Sequence, residues 1–150
     1  MRNAQLPVLG KTRHPAQYGA RKQPAFPLSS VQCQEVTGAT QRQIQWMDEK
    51  GIVSPLRNGR NRKYERIDAL CVLLWLELRR RGIGPSAVRS ILVRVRAYQR
   101  QKGLADLRFM ICLPNGKCVF HFDTKVTLAA IANCGLCLLV DVERLREKLL

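Results

Sequence analysis

The spacing of apolar residues divides the chain into a helical part and a mixed part. Four stretches between residues 29 and 103 repeat their apolar positions every three or four residues, as one face of a helix does. Two strand-like runs between residues 108 and 122 flank an Asn-Gly pair at 115–116, and a helical stretch at 124–133, a strand at 137–140 and a final helix follow. This order predicts an α+β protein that ends in a small ββαβα module, with the helices on one face of its sheet.

The stretch from residue 41 to residue 50 predicts a helix that is anchored on one side. Thr40 and Gln43 have the spacing of a capping box, and Gly51 stands where a left-handed residue would end the helix. Ile44 and Met47 share the face that should pack inward. Glutamine and arginine on the opposite side can each make two hydrogen bonds to a base edge in the major groove of DNA. The residues predicted to face outward are Gln41, Arg42, Gln45 and Trp46.

A basic segment at 57–64 follows this helix and predicts a short hairpin. Asn58-Gly59 is a favoured two-residue hairpin turn, and no acid follows it until Glu65. Cations presented beside a DNA-reading helix would contact phosphates, although an exposed basic loop without a partner would have the same composition. The candidate side chains of this segment are Arg57, Arg60, Arg62, Lys63 and Tyr64.

Three further helices are predicted around these two elements. Ser29 or Ser30 can cap a helix that reaches Val36, in which Val31 and Val36 are the expected buried residues. Residues 65–81 are apolar on nearly every side, so the first part of the chain should cover that helix on one side and the C-terminal module or a second subunit on the other. A proline opens the next helix. Its polar faces are predicted to carry Arg89, Arg94, Arg96 and Arg100.

The charge of the chain favours a polyanionic partner. The 26 Lys and Arg residues outnumber the 11 Asp and Glu residues and give a formal net charge of +15. Nucleic acid is the first candidate partner, and an acidic membrane surface is the second. No apolar run reaches the ~20 residues that span a bilayer, and the N-terminal residues lack the apolar core of a secretory signal. We therefore expect a cytoplasmic protein without a membrane partner and with its six cysteines reduced.

The cysteines and histidines indicate no catalytic chemistry. A two-residue turn at 115–116 would pair Leu113 with Cys118, so that Cys112 and Cys118 point to opposite faces and cannot share one tetrahedral metal ion. Small buried thiols are the more common role for such residues. We expect no catalytic residue, no metal and no cofactor, and a protein that is not an enzyme. The alternative metal set consists of Cys112, His121, Cys134 and Cys137. The role of the pair Cys134 and Cys137 stays open.

The residue order from about 26 to 96 resembles the MerR-type winged helix-turn-helix regulators. The segment TGATQRQIQWMDEKGIVSP is followed by RNGRNRKY, a long helix and RGIG, which is the order of the recognition helix, the wing and the following helices in that family. The resemblance implies DNA contacts from Arg42 and Trp46 on the recognition helix, and from Arg62 and Tyr64 on the wing.

The resemblance also implies partners and an assembly. It suggests a homodimer on a palindromic promoter element, RNA polymerase as a further partner, and a C-terminal module that senses a small-molecule effector or mediates association. Gln45 departs from the family pattern, which often has arginine there, and implies a different base preference. The long dimerisation helix usual in the family is missing, so the mode of dimerisation stays open.

Together these features predict a sequence-specific transcriptional regulator that binds double-stranded DNA. The predicted organisation is a disordered basic tail at 1–25, a winged helix-turn-helix at 26–103 and a small module at 104–150. An excisionase-like protein that bends DNA and a basic RNA-binding protein are the alternatives; the second would stack bases on exposed aromatics, whereas the hairpin aromatics are predicted to be buried. The predicted DNA-binding residues are Thr40, Gln41, Arg42, Gln45, Trp46, Arg57, Arg60, Arg62, Lys63 and Tyr64.

Overall fold

The structure, a computed structural model, describes residues 24–103, 107–113, 117–121, 123–133 and 137–150. Its helices are α1 (Ser30–Thr37), α2 (Gln41–Glu49), α3 (Arg66–Arg80), α4 (Pro85–Lys102), α5 (Thr124–Ala132) and α6 (Val142–Glu147). Its strands are β1 (Leu28–Ser29), β2 (Leu56–Asn58), β3 (Asn61–Tyr64), β4 (Phe109–Cys112), β5 (Cys118–His121) and β6 (Leu138–Asp141). The predicted α+β class is confirmed. Most of the basic tail at 1–25 lies outside the described residues.

Helices α1 and α2 both begin with a capping box. In α2 the backbone N–H of Thr40 donates to Gln43 Oε1 at 2.8 Å, and the Thr40 hydroxyl accepts from the Gln43 backbone N–H at 3.3 Å. The same exchange occurs three residues apart at Ser29, so the prediction of both helix starts is confirmed. These caps need only neighbouring residues, which is why the sequence pattern predicted them correctly.

The prediction for the buried face of α1 is wrong for Val31. That side chain is 61% exposed, whereas Cys33 and Thr37 are buried. Thr37 can be buried because its hydroxyl donates to the Cys33 carbonyl oxygen at 2.6 Å. Residues 33 and 37 share one face of the helix, and residue 31 lies on roughly the opposite side. The contact with α3 therefore decides which face of α1 is buried, rather than the apolar character of Val31.

Strands β1, β3 and β2 form an antiparallel sheet in that order. Asn58 pairs with Asn61, so the turn residues are Gly59 and Arg60 rather than the predicted Asn58 and Gly59. Gly59 has a φ of +60°, and no residue other than glycine has a positive φ in the described part of the chain. This combination is that of a type II′ turn, which requires glycine at its first central position.

Helix α3 is the centre of the fold. Every residue from Asp68 to Trp75 is buried, as the apolar character of this helix predicts. Helix α1 packs on one side of α3, and α4 and α6 pack on others. The expected docking of the C-terminal module on α3 is thus present.

A buried ion pair joins three segments beside α3. Asp68 is 1% exposed and pairs with Arg96, whose side chain is only 17% exposed, so the prediction that Arg96 lies on a polar face is wrong. The carboxylate of Asp68 also accepts from the backbone N–H groups of Ser54 at 3.0 Å and Glu65 at 3.1 Å. Arg96 donates a further hydrogen bond to the Ile52 carbonyl oxygen at 3.0 Å. This network ties the loop after α2 to the start of α3 and to α4.

The second sheet has the order β5-β4-β6 and is antiparallel throughout. Its hairpin register differs from the prediction by one residue, because Cys112 rather than Leu113 pairs with Cys118. The Leu113 N–H donates to the Lys117 carbonyl oxygen at 2.8 Å. Residues 114–116, which include the predicted turn at 115–116, lie outside the described residues. A one-residue slip reverses which side chains share a face. Cys112 and Cys118 therefore lie opposite each other on the same face.

Helices cover both faces of this sheet, and the prediction of one covered face is wrong. Met110, Cys112 and Val140 join the core that surrounds α3. Ile111, which alternates to the other face, is only 2% exposed, and α5 packs against β4 and β5. Among the described helices, none is both long and apolar enough to cross a membrane.

Candidate nucleic-acid interface

The outward side of α2 has the polar composition that its sequence predicts. Ile44 and Met47 are 2% and 0% exposed and anchor the helix on the core. Gln41, Arg42 and Gln45 are all exposed, and we call these three residues the recognition face. The amide of Gln45 donates to Glu49 Oε1 at 3.1 Å, which orients that side chain along the helix surface.

Trp46, which the sequence predicted to face outward, packs against a second tryptophan instead. Its ring centroid lies 4.8 Å from that of Trp75 on α3, with an interplanar angle of 47°. Trp75 is 7% exposed and Trp46 is half-buried. The pair, which we call the indole pair, carries part of the packing between α2 and α3. Aromatic pairs of this geometry contribute about 0.5–1.5 kcal/mol beyond the area that they bury.

The wing, residues 56–64, is held to α2 by one carboxylate. Asp48 Oδ2 lies 3.0 Å from Arg57 Nη2 and 3.0 Å from Arg62 Nε. Arg57 and Arg62 are direct cross-strand partners, so Asp48 lies between two like charges that face each other. The Asp48 side chain is 6% exposed, against 62% for Arg57. The predicted site residues do not include Asp48. The signal that could have indicated it is its position directly after the buried Met47.

The remaining cations of the wing point elsewhere. Arg60 is exposed at the tip of the turn. Lys63 is exposed as well, but it alternates with Arg62 along β3 and therefore lies on the opposite face of the hairpin. The structure thus brings together Arg57 and Arg62 near α2, with Arg60 at the tip and Lys63 apart from them.

Tyr64 belongs to the core and not to the exposed wing, which corrects its predicted DNA contact. It is 1% exposed, pairs with Leu28 and lies within hydrogen-bonding reach of Ser30. Burial, the largest influence, raises the pKa of its hydroxyl above the ordinary value. A side chain that is enclosed in this way anchors the base of the wing.

A cleft of about 420 Å³ opens beside the recognition face. The indole pair lines it, together with Arg42 from α2 and Arg79 from the end of α3. Arg79 Nη1 donates to the Ile83 carbonyl oxygen at 2.8 Å, which holds the guanidinium against the turn between α3 and α4. The predicted DNA-binding residues do not include Arg79. The run of three arginines at the end of α3 is the sequence signal that could have indicated it. The cleft also contains Thr40, Gln43 and Pro85.

The thiols of the second sheet are unreactive in this environment. Burial, with a smaller influence from the nearby Cys118, raises the pKa of Cys112 to about 12. Among the described residues, no group of three or more His, Cys, Asp and Glu side chains has an arrangement that could hold a metal ion. Cys134, which belongs to the alternative metal set, lies outside those residues.

The family comparison matches the segment that carries these features. The model for MerR HTH family regulatory proteins matches residues 28–95, from β1 into α4. The chain carries a MerR-type helix-turn-helix. The predicted resemblance is therefore confirmed for this segment, and the family that it matches is one of helix-turn-helix regulatory proteins. No curated protein matches the chain.

All ten predicted DNA-binding residues lie within the MerR-type segment. Their individual roles are a separate question, because a family match assigns the fold of the segment and not the contacts of each side chain. The segment ends within α4, so the second sheet and its helices lie beyond it.

Proposed function

We propose that this MerR-type protein is a transcriptional regulator that reads double-stranded DNA by inserting α2 into the major groove. The observation that carries the proposal is the position of the recognition face. Ile44 and Met47 hold α2 from behind, while Gln41, Arg42 and Gln45 project together from the opposite side. Glutamine suits adenine and arginine suits guanine in bidentate contacts.

The wing is proposed to hold the phosphate backbone beside the groove. Arg60 at the turn tip has the exposure that a phosphate contact requires. Arg57 and Arg62 have a double role, since Asp48 positions them and each keeps part of its side chain open to solvent. Arg42 and Arg79 flank the indole pair and provide a second positive site at the other end of α2. Two positive sites that flank one helix fit a duplex whose backbone passes on both sides of the groove.

The proposed assembly is a homodimer on a palindromic promoter element that it distorts, with RNA polymerase as a further partner. This part of the proposal rests on the match of residues 28–95 to the MerR-type family. Dimeric helix-turn-helix regulators place their two recognition helices about one turn of the DNA helix apart, so that each reads one half-site. The C-terminal sheet, together with α6, which packs against α3 and β4, is proposed to serve association or effector sensing.

Selection from random duplexes tests the proposal. Two half-sites related by a dyad are expected, and the protein with Gln45→Ala should select a different base at one position of each half-site. Gln101→Ala, an exposed glutamine on α4, is the matched control and should leave the selected sequence unchanged. Equal enrichment of all sequences would instead support the architectural, excisionase-like alternative.

The RNA-binding alternative has less support from the described aromatics. Phe120 packs against Tyr98 with centroids 4.9 Å apart, and Phe109 is half-buried beneath the guanidinium of Arg108. Register pairing places Phe109 and Phe120 on opposite faces of the sheet, so they do not form one stacking platform. Competition between duplex DNA and RNA of the same sequence separates the two, and stronger competition by RNA would refute duplex recognition.

A further inference from the structure

A second cleft, of about 490 Å³, lies between the DNA-binding segment and the C-terminal sheet. One wall is the turn between α3 and α4 with the first turn of α4, and the other wall is the adjoining end of β4 and β6. We call it the inter-module cleft. Its volume lies in the range of sites for small molecules.

Most of the lining of the inter-module cleft is apolar. Ile83 and Ala87 line it from the helical side, and Leu113 and Leu138 from the sheet. The thiol of Cys112 adds to the same surface, and its raised pKa keeps it neutral. A ligand that fills this space must therefore have an apolar body.

The charged group of this lining is the guanidinium of Arg81. It pairs with Glu77, with Nη2 2.7 Å from Oε1, but Arg80 pairs with the same carboxylate at 3.0 Å, so one acid is shared by two cations. Arg81 Nη1 also donates to the Leu139 carbonyl oxygen at 3.4 Å, so the excess positive charge is held in the lining of an apolar cleft. The first turn of α4, which lines the same wall, has no acidic residue and no side-chain cap at Gly84, and it adds no negative charge.

We propose that the inter-module cleft binds a small apolar molecule that carries one carboxylate, and that its binding changes the affinity for DNA. This inference rests on the proposed function. The structural link is the α3–α4 turn: Ile83 in this turn lines the inter-module cleft, and its carbonyl oxygen accepts from Arg79, which lines the first cleft beside Arg42 and the indole pair. A ligand that displaces this turn moves Arg79 relative to the recognition face.

The binding test uses octanoate and 1-octanol as probes of the full-length protein. Both have the same apolar chain, but only octanoate has the carboxylate that Arg81 would bind. In a ¹H–¹⁵N NMR titration we expect octanoate to shift the amides of Gly82, Ala87 and Leu113 to saturation. We expect 1-octanol to bind about tenfold more weakly. Equal binding of both probes, or shifts centred elsewhere, would overturn the assignment.

Two substitutions and a matched control localise the binding. Arg81→Gln should weaken octanoate binding about tenfold and leave 1-octanol binding unchanged, because the amide retains a donor but loses the charge. Arg80→Gln removes the neighbouring arginine, which shares Glu77 but does not line the cleft, and should have no such effect. Ala87→Leu fills the space and should weaken both probes. An equal effect of Arg80→Gln and Arg81→Gln would refute the site; Arg81 is exposed, so this comparison does not depend on the core substitution folding.

The regulatory half of the proposal is tested with a duplex obtained by selection. Octanoate should change the dissociation constant for that duplex by about fivefold or more in the unsubstituted protein, and not in Arg81→Gln. Saturable octanoate binding without this change would overturn the coupling. Failure to bind any duplex would instead refute the proposed function, while the probe titrations would still decide whether the cleft is a ligand site.

Discussion

Asp48→Asn should loosen the wing while it increases non-specific attraction to DNA. The carboxylate lies 3.0 Å from both Arg57 and Arg62, which face each other across β2 and β3. The substitution removes two attractive interactions and leaves two like charges opposite each other. The positive charge near the phosphate backbone rises by one, because asparagine is neutral. Stability and specificity should therefore fall although the overall electrostatic attraction grows.

The size of the expected loss in the free energy of unfolding follows from the exposure of Arg57 and Arg62. Arg57 has 62% of its side chain exposed and Arg62 34%, so solvent screens both pairs despite the burial of Asp48 at 6%. Screened pairs of this kind contribute about 0.2–1 kcal/mol each, and the loss of both should lower the free energy of unfolding by about 0.4–2 kcal/mol. A fully buried pair would cost about 3–5 kcal/mol when one partner is removed.

Glu49→Gln is the matched control for this substitution. It removes the same charge from the next residue, whose carboxylate accepts only from Gln45 in the described hydrogen bonds. Urea unfolding should detect the loss for Asp48→Asn alone, and fluorescence anisotropy should show that its ratio of affinities for selected and scrambled duplex falls. If both substitutions change stability and that ratio equally, the carboxylate does not position the wing and the reasoning fails.

Three further predictions concern the core, the wing tip and pH. Asp68→Ala should lower the free energy of unfolding by about 3–5 kcal/mol in urea titration, because it strands a buried guanidinium; a loss below 1 kcal/mol would contradict the network. Arg60→Gln should reduce the slope of log affinity against log salt by ~0.9, whereas Lys125→Gln in α5 should not. Burial raises the pKa of Cys71 to about 12, so the unfolded state loses this proton first. The contribution of this thiol to stability should be constant below about pH 8 and decrease above it, so the free energy of unfolding from urea titrations should fall less between pH 8 and pH 10.5 in Cys71→Ala than in the unsubstituted protein; an equal fall in both would refute this.

Features that depend on nearby residues were predictable from the sequence. Thr40 with Gln43 marks the start of α2, and Asp141 accepts from the Arg144 backbone N–H at 2.9 Å at the start of α6, as its position before the last helix predicts. The spacing of Ile44 and Met47 identified the inner side of α2 for the same reason, since helical periodicity alone places both on one face.

Pairing between strands was less predictable. In the first sheet the turn moved by one residue, which shifted each cross-strand partner by two residues and so kept the same side chains on each face of the hairpin. In the second sheet the pairing slipped by one residue and exchanged the faces. An Asn-Gly pair indicates a hairpin, but the length of the loop decides the register, and β6 also pairs with β4.

By itself, the sequence determined the MerR-type order of elements, the helix starts, the basic charge and the polar recognition face of α2, because each depends on local hydrogen bonds, periodicity or composition. Only the tertiary structure decided that Tyr64 and Arg96 are enclosed, that Trp46 packs on Trp75, and that Asp48 is shared by two arginines. These outcomes depend on which distant residues meet, and a long amphipathic side chain can serve a core or a surface equally well until its neighbours are in place.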